Sequence, residues 1–211
     1  MSSRIKYLLL NPLQIPIVLL IQLPYFRFIR ETTYITFGRW WRHKFLNRGG
    51  NRDAYWPVDF TSKVVNPENI LIGIEVCPGI MQGCYIQGIG KVYIGDYTQI
   101  GPKVSIISGN HDLYDSRVHI EAEVRIGRYC WLGAGATILP GVELGDFTIV
   151  GAGAVVTRSF PEGYCVIGGN PAKVIKNLER EKCVPYRNEV EYIGYIPFKH
   201  FEEYRKKNLK V

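Results

Sequence analysis

From Ile126 onward a branched aliphatic residue recurs at every sixth position: Ile126, Leu132, Ile138, Leu144, Val150 and Val156. The position after each reads Gly127, Gly133, Leu139, Gly145, Gly151 and Thr157, four glycines where the overall content of 22 in 211 predicts fewer than one. The fifth position holds small residues for the most part: Cys130, Ala136, Val142, Thr148 and Ala154, then Phe160. The same phase runs upstream through Ile94-Gly95, Ile100-Gly101 and Ile106, with Thr98 and Val104 at the fifth position. A short fixed period outranks local propensity in reading a chain. Six residues suit one short strand and a turn, and three such units close a triangular coil. The aliphatics then point inward and stack from coil to coil, the small residues fit the narrow interior, and glycine is expected to free the backbone at each corner. A helix requires a period near 3.6, which is absent. A β-sandwich does not place glycine every sixth residue.

The period breaks twice. Ile106 and Ile126 stand 20 residues apart, and residues 107–123 between them are polar and charged, as in a loop expelled from the coil. Gly79, Gly83, Gly88 and Gly90 crowd the second break, near Pro78 to Gly90. Loops leaving a rigid scaffold are where chemistry collects. The expelled loop carries Gly109-Asn110-His111 and, further on, His119. An imidazole there suits a general base, since it exchanges protons near neutrality. Asp112, Asp115 or a backbone carbonyl would orient it. His119 reads as loop surface.

Composition divides the chain into residues 1–62, apolar and aromatic; 63–175, the solenoid; and 176–211, charged with interspersed Tyr and Phe, expected to be a short helical or irregular extension. Tyr7 to Phe28 is strongly apolar, with Arg4 and Lys6 before it and Arg27 and Arg30 near its end. Pro12, Pro16 and Pro24 argue against an unbroken spanning helix. Two readings stay open. The segment lies in a membrane interface, with Tyr25, Trp40 and Trp41 at headgroup depth, or it caps the open first coil, since a solenoid end must be covered. The net charge of +7 favours anionic partners, but no basic run interleaves with aromatics, so nucleic acid is not expected. Five cysteines without a Cys-x-x-Cys motif indicate neither a disulfide framework nor a zinc knuckle. They read as small apolar filler in a reducing cytoplasm, with the inner face of the cell membrane as the site of any lipid contact.

Four pieces of sequence resemble the hexapeptide-repeat acyltransferases, in the branch of the sugar O-acetyltransferases and xenobiotic acetyltransferases. They are Gly109-Asn110-His111, residues 126–134, residues 138–142 through 150–157, and Gly168-Gly169-Asn170-Pro171-Ala172-Lys173. The resemblance implies an all-β fold, a left-handed parallel β-helix, and acetyl-CoA-dependent O-acetylation of a sugar or polysaccharide precursor by direct transfer from the thioester. It implies His111 as the catalytic base and Trp131 beside the acetyl end. Backbone N–H groups around Gly133 and Ala134 would receive the oxyanion, while Ala134, Gly151 and Ala152 would line the pantetheine arm. Thr157, Arg158, Lys173 and Lys176 would lie near the adenosine phosphates. It also implies a homotrimer with each site between two subunits. Relatives carry an Asp upstream that contacts the acceptor. The matching stretch here, Ile86-Gln87-Gly88-Ile89-Gly90, has no carboxylate, which leaves Gln82, Gln87 and Asn110 as acceptor contacts. Another small hydroxyl or amine, in an amino sugar, serine or a drug, is the alternative acceptor. A metal enzyme of this fold needs three zinc histidines and the solenoid offers two, so no metal is expected. A non-catalytic scaffold is the remaining reading.

Overall fold

The computed structural model describes residues 37–189 and 191–211. The apolar stretch Tyr7 to Phe28, on which the membrane and cap readings partly rest, lies outside them. Among the described residues no helix is long and apolar enough to cross a membrane.

The repeat folds as the spacing predicts, into a left-handed parallel β-helix with three faces. Face I stacks β1 (Lys63–Val65), β3 (Tyr85–Gln87), β6 (Ser105–Ile107), β11 (Thr137–Ile138) and β14 (Val155–Val156). Face II stacks β2 (Ile70–Ile72), β4 (Val92–Ile94), β9 (Val124–Ile126) and β12 (Glu143–Leu144). Face III stacks β5 (Gln99–Ile100), β10 (Trp131–Leu132), β13 (Ile149–Val150) and β15 (Cys165–Gly168), closed by the antiparallel β16 (Lys173–Asn177). All other pairings within the faces are parallel, and they place like on like: Ile94 on Ile126 on Leu144, Ile100 on Leu132 on Val150, and Ile106 on Ile138 on Val156. The six aliphatics from Ile126 to Val156 are buried, as are Thr98, Val104, Cys130, Ala136, Val142, Thr148 and Ala154 at the fifth position. The two buried threonines keep their hydroxyls bonded, Thr98 to the Gly127 carbonyl at 2.7 Å and Thr148 to that of Gly145 at 2.7 Å.

One expectation is corrected. The glycine after each aliphatic does not supply a left-handed backbone. The positive φ angles fall two residues later, at Tyr97, Lys103, Tyr129, Gly135, Gly141, Phe147 and Gly153. Gly127, Gly133 and Gly145 are required for a different reason: a Cβ there would stand 2.5, 2.6 and 2.2 Å from backbone atoms of the next coil. Glycine is selected by the closeness of stacked corners, and the turn itself is made by residues that include aromatics. Those aromatics form a ladder along the corner between faces II and III. Tyr97 stacks on Tyr129 at 5.4 Å, Tyr129 on Phe147 at 4.9 Å and Phe147 on Tyr164 at 5.1 Å.

The chain after β16 runs back along this ladder. The Leu178 N–H donates to the Tyr164 carbonyl, the Tyr129 hydroxyl to the Tyr186 carbonyl at 2.9 Å, and the Tyr97 hydroxyl to Glu191 at 2.9 Å. The strap ends beside the first coil in a hairpin, β17 (Tyr192–Ile193) and β18 (Ile196–Pro197), followed by a helix at Phe198–Asn208. There it meets the residues that precede β1. The Tyr195 N–H donates to the Tyr55 carbonyl, and Tyr55 packs on Trp56, Phe201 and Tyr204. His43, 2% exposed, joins the two segments: Nε2–H donates to the Asn51 carbonyl at 2.7 Å, so Nδ1 accepts from the Tyr195 hydroxyl at 2.9 Å. Trp40 packs on Tyr192 and Tyr195. The described part of the N-terminal zone thus covers the first coil together with the C-terminal extension.

Candidate active site

Between β6 and β9 the chain takes 20 residues, from Ile106 to Ile126, over a step that takes eight from Val64 to Ile72 and from Ile86 to Ile94, and six from Ile138 to Leu144. The excess forms an arm, the antiparallel pair β7 (Gly109–His111) and β8 (His119–Glu121), leaving the corner between faces I and II. Its root is clamped by Ser108, which is fully buried. The Ser108 hydroxyl donates to the Gln87 carbonyl at 2.5 Å, and its own carbonyl accepts from Ala122 N–H at 2.8 Å. Gly109 sits against Ile89, where a Cβ would meet the side chain at 2.7 Å, and its N–H donates to Gln87 Oε1 at 3.0 Å.

His111 stands exposed on this arm. Its Nδ1 lies 2.5 Å from the Ser116 carbonyl oxygen. A carbonyl only accepts, so Nδ1 carries the proton and Nε2 presents its lone pair outward. The orienting group is therefore a backbone carbonyl. The Asp112 carboxylate is occupied by the N–H groups of Tyr114 and Asp115, which hold its pKa below the usual range, and Asp115 is paired with Arg117. His119 is exposed on the same arm and is the cross-strand partner of His111, with ring centroids 4.4 Å apart. Asn110 is exposed beside it, paired through its backbone with Ile120. Gln87 is tied to the arm's root, whereas Gln82 is exposed on the stretch before β3.

The remaining expected residues lie elsewhere on the prism. Trp131 is 55% exposed on face III, in register with Gln99 and Ile149. Ala134 and Ala152 form a small-residue edge at the corner between faces III and I, where the Gly153 N–H donates to the Ala134 carbonyl. This edge runs into the turn before Lys173, because Val155 N–H donates to the Gly169 carbonyl and Ala172 N–H to that of Val155. Lys173 and Lys176 are exposed on β16. Thr157 and Arg158 are exposed on the far side of face I, Arg158 over the Phe160 ring at 5.3 Å. Within one chain, then, His111 and the Ala134–Ala152 edge occupy different corners.

Gly133 and Gly151 lie in the same corner turns. Their N–H groups are engaged with the Val150 and Ile167 carbonyls, both at 2.8 Å, and Gly133 is buried against Ala152 N. No backbone acceptor takes the Ala134 N–H among the described residues. Burial pushes the Cys77 and Cys130 thiols up to about 12 and raises those of Cys84 and Cys165, which disfavours a thiolate at these four positions. Among the described residues no group of three or more His, Cys, Asp or Glu could hold a metal ion. A groove along face II, between Tyr93, Arg125, Glu143 and the C-terminal helix, contains none of the expected site residues. Ser108 and Ser116 were not legible as site residues; a Ser three before a loop histidine carries no signal by itself.

Residues 117–158 match the bacterial transferase hexapeptide family (six repeats). Nodulation protein L of Rhizobium meliloti (strain 1021) is 46% identical over 78 residues, 35% of this chain and 42% of that protein. Nodulation protein L of Rhizobium leguminosarum bv. viciae is 44% identical over 78 residues, 40% of its length. The match therefore spans about two-fifths of these curated relatives. A galactoside acetyltransferase solved in complex with coenzyme A is 27% identical with a TM-score of 0.54, covering 64% of this chain and 68% of that one. Repeat, three-faced architecture and matched segment agree: residues 117–158 match the bacterial transferase hexapeptide family, and the solenoid around them is similar in fold to the galactoside acetyltransferase.

Proposed function

We propose that the chain is an acetyl-CoA-dependent O-acetyltransferase acting on a sugar or polysaccharide precursor, with His111 as general base. The observation that carries this reading is the imidazole itself. It stands on an arm expelled from a hexapeptide solenoid, with Nδ1–H fixed by the Ser116 carbonyl and Nε2 directed outward. Acetyl-CoA supplies the acetyl group as a thioester. His111 Nε2 takes the proton of the acceptor hydroxyl as that oxygen bonds to the carbonyl carbon, and returns it to the sulfur as the carbon–sulfur bond breaks. The Ala134 N–H is the donor for charge on the carbonyl oxygen. Trp131, Ala152, Lys173 and Lys176 follow one edge and face and suit a narrow arm ending in phosphates. Thr157 and Arg158 fit a phosphate only if it bends across face I. Asn110, Gln82 and Gln87 stand as acceptor contacts, Gln87 the least free because it holds the arm.

The separation of His111 from the Ala134–Ala152 edge supports a homotrimer, in which the arm of one copy reaches the edge of the next. The apolar segment Tyr7 to Phe28 supports a peripheral contact with the cytoplasmic membrane surface, which would favour a lipid-linked acceptor. A thiol-release assay with acetyl-CoA against free, nucleotide-linked and lipid-linked sugars tests the reading. Release with serine or a drug and not with any sugar would refute the acceptor class.

A further inference from the structure

The residues that precede β1 do more than cover the first coil. A turn of helix at Trp41–Phe45 stacks the Trp41 ring on that of Phe45 at 4.0 Å, and both rings face outward. The chain then folds back, with Arg52 N–H donating to Asn47 Oδ1 at 3.0 Å and Arg52 Nη2 to the Phe45 carbonyl at 3.1 Å. The loop before β1 brings Phe60 beside the residues that follow this turn: Arg48 lies 5.9 Å over its ring, and Gly49 abuts its backbone. Four large apolar side chains are exposed in this short stretch, Trp41 at 37%, Phe45 at 59%, Leu46 at 53% and Phe60 at 63%. Arg42, Arg48 and Arg52 are exposed among them. Lys44 does not belong to the surface, since its amine turns inward to the Arg52 and Ala54 carbonyls. Of the two carboxylates in this stretch, Asp59 is bonded to Thr61 and only Asp53 is exposed.

We propose that this aromatic and arginine surface docks on an anionic lipid bilayer. Exposed rings rimmed by cations match the headgroup layer, where apolar edges enter the acyl boundary and guanidinium groups meet phosphate. The excess of cations is complementary to anionic lipid, and the surface begins at Trp41, separated by 12 residues from the apolar segment Tyr7 to Phe28. The proposal rests on the membrane reading of that segment and gives it a folded platform. It also fixes orientation. The His111 arm leaves face I two rungs beyond β1, about 10 Å along the axis at the spacing of paired strands, so a lipid-linked acceptor is within reach of the arm.

The test is flotation of the full chain with vesicles of phosphatidylcholine alone or with about 30% phosphatidylglycerol. The wild type is expected to float with the anionic vesicles only. Phe45→Glu with Phe60→Glu, and separately Arg48→Glu with Arg52→Glu, should each reduce binding, the arginine pair lowering the partition coefficient by at least about fivefold for each cation lost. Both pairs are exposed, so unchanged melting and unchanged thiol release with a soluble acceptor will establish that the variants are folded. Undiminished flotation of both variants overturns the surface and leaves residues 1–36 as the anchor. A wild type that stays unbound overturns surface and membrane reading together, while acetyl transfer is judged separately by thiol release.

Discussion

The corner glycines provide a stringent test of how the coils are held together. In Gly127→Ala the new Cβ would lie 2.5 Å from Asp146 N and 2.6 Å from the Gly145 carbonyl carbon. Ordinary carbon contacts begin near 3.5 Å, so the two coils must part by roughly 0.9 Å. The Gly127 N–H bond to the Leu144 carbonyl, now 2.7 Å, would open to about 3.6 Å, beyond hydrogen-bond range. Overpacking and a lost ladder bond together cost about 3 kcal/mol. In Gly141→Ala, by contrast, no atom lies within 4 Å, and the only cost is a positive φ of 82°. Tyr97, Tyr129 and Phe147 already hold positive φ at equivalent positions, so that cost is about 1 kcal/mol. For a chain of this size the melting temperature should fall by about 9 °C in Gly127→Ala and about 3 °C in Gly141→Ala. Thermal unfolding followed by circular dichroism at one protein concentration measures both. If Gly141→Ala is as damaging as Gly127→Ala, the glycines serve backbone freedom and the close-approach argument is wrong.

His111→Ala should lower turnover by about two to four orders of magnitude in the thiol-release assay, with little change in coenzyme A affinity; near-wild-type turnover would remove His111 as the base. Lys173→Ala with Lys176→Ala should raise the KM for acetyl-CoA with a smaller effect on kcat, and an unchanged KM would return both to plain surface. Burial pushes the His43 imidazole down to about 4, so between about pH 6.5 and 4 the unfolded chain binds a proton that the folded one does not. Stability should therefore fall as pH drops through that window, by up to about 3 kcal/mol from this residue. Urea midpoints at both ends of the window, compared with those of His43→Gln, check this; an equal loss in the variant would contradict it.

The solenoid was legible because its signal is local and periodic. Ile126, Leu132 and Ile138 announce their burial by spacing alone, and the registers of all three faces follow. The arm was legible as an interruption of that period. The group that orients His111 was not, because the Ser116 carbonyl is backbone and has no residue type to betray it, while the conspicuous Asp112 and Asp115 are taken up by the turn. The role of the corner glycines was misread because a missing Cβ and a positive φ both select glycine, and only the distance to the next coil separates them. The path of residues 178–197 was not legible either. Contacts such as Tyr129 to Tyr186 and Tyr97 to Glu191 join residues 57 and 94 apart, and no short pattern encodes them.

That returning segment changes what kind of object the repeat array is. A stack of repeats in which each touches only its neighbours loses stability unit by unit, fraying inward from a free end. Here the final coil is moored through Tyr164, Tyr186 and Glu191 to the opening coil at Glu75 and Tyr55. Neither terminus of the array can peel without releasing the other, so the stack behaves as a hooped barrel whose staves loosen together. Its folding must wait for residues 178–197 to find the first coil, which favours a slow, all-or-none assembly over stepwise zipping.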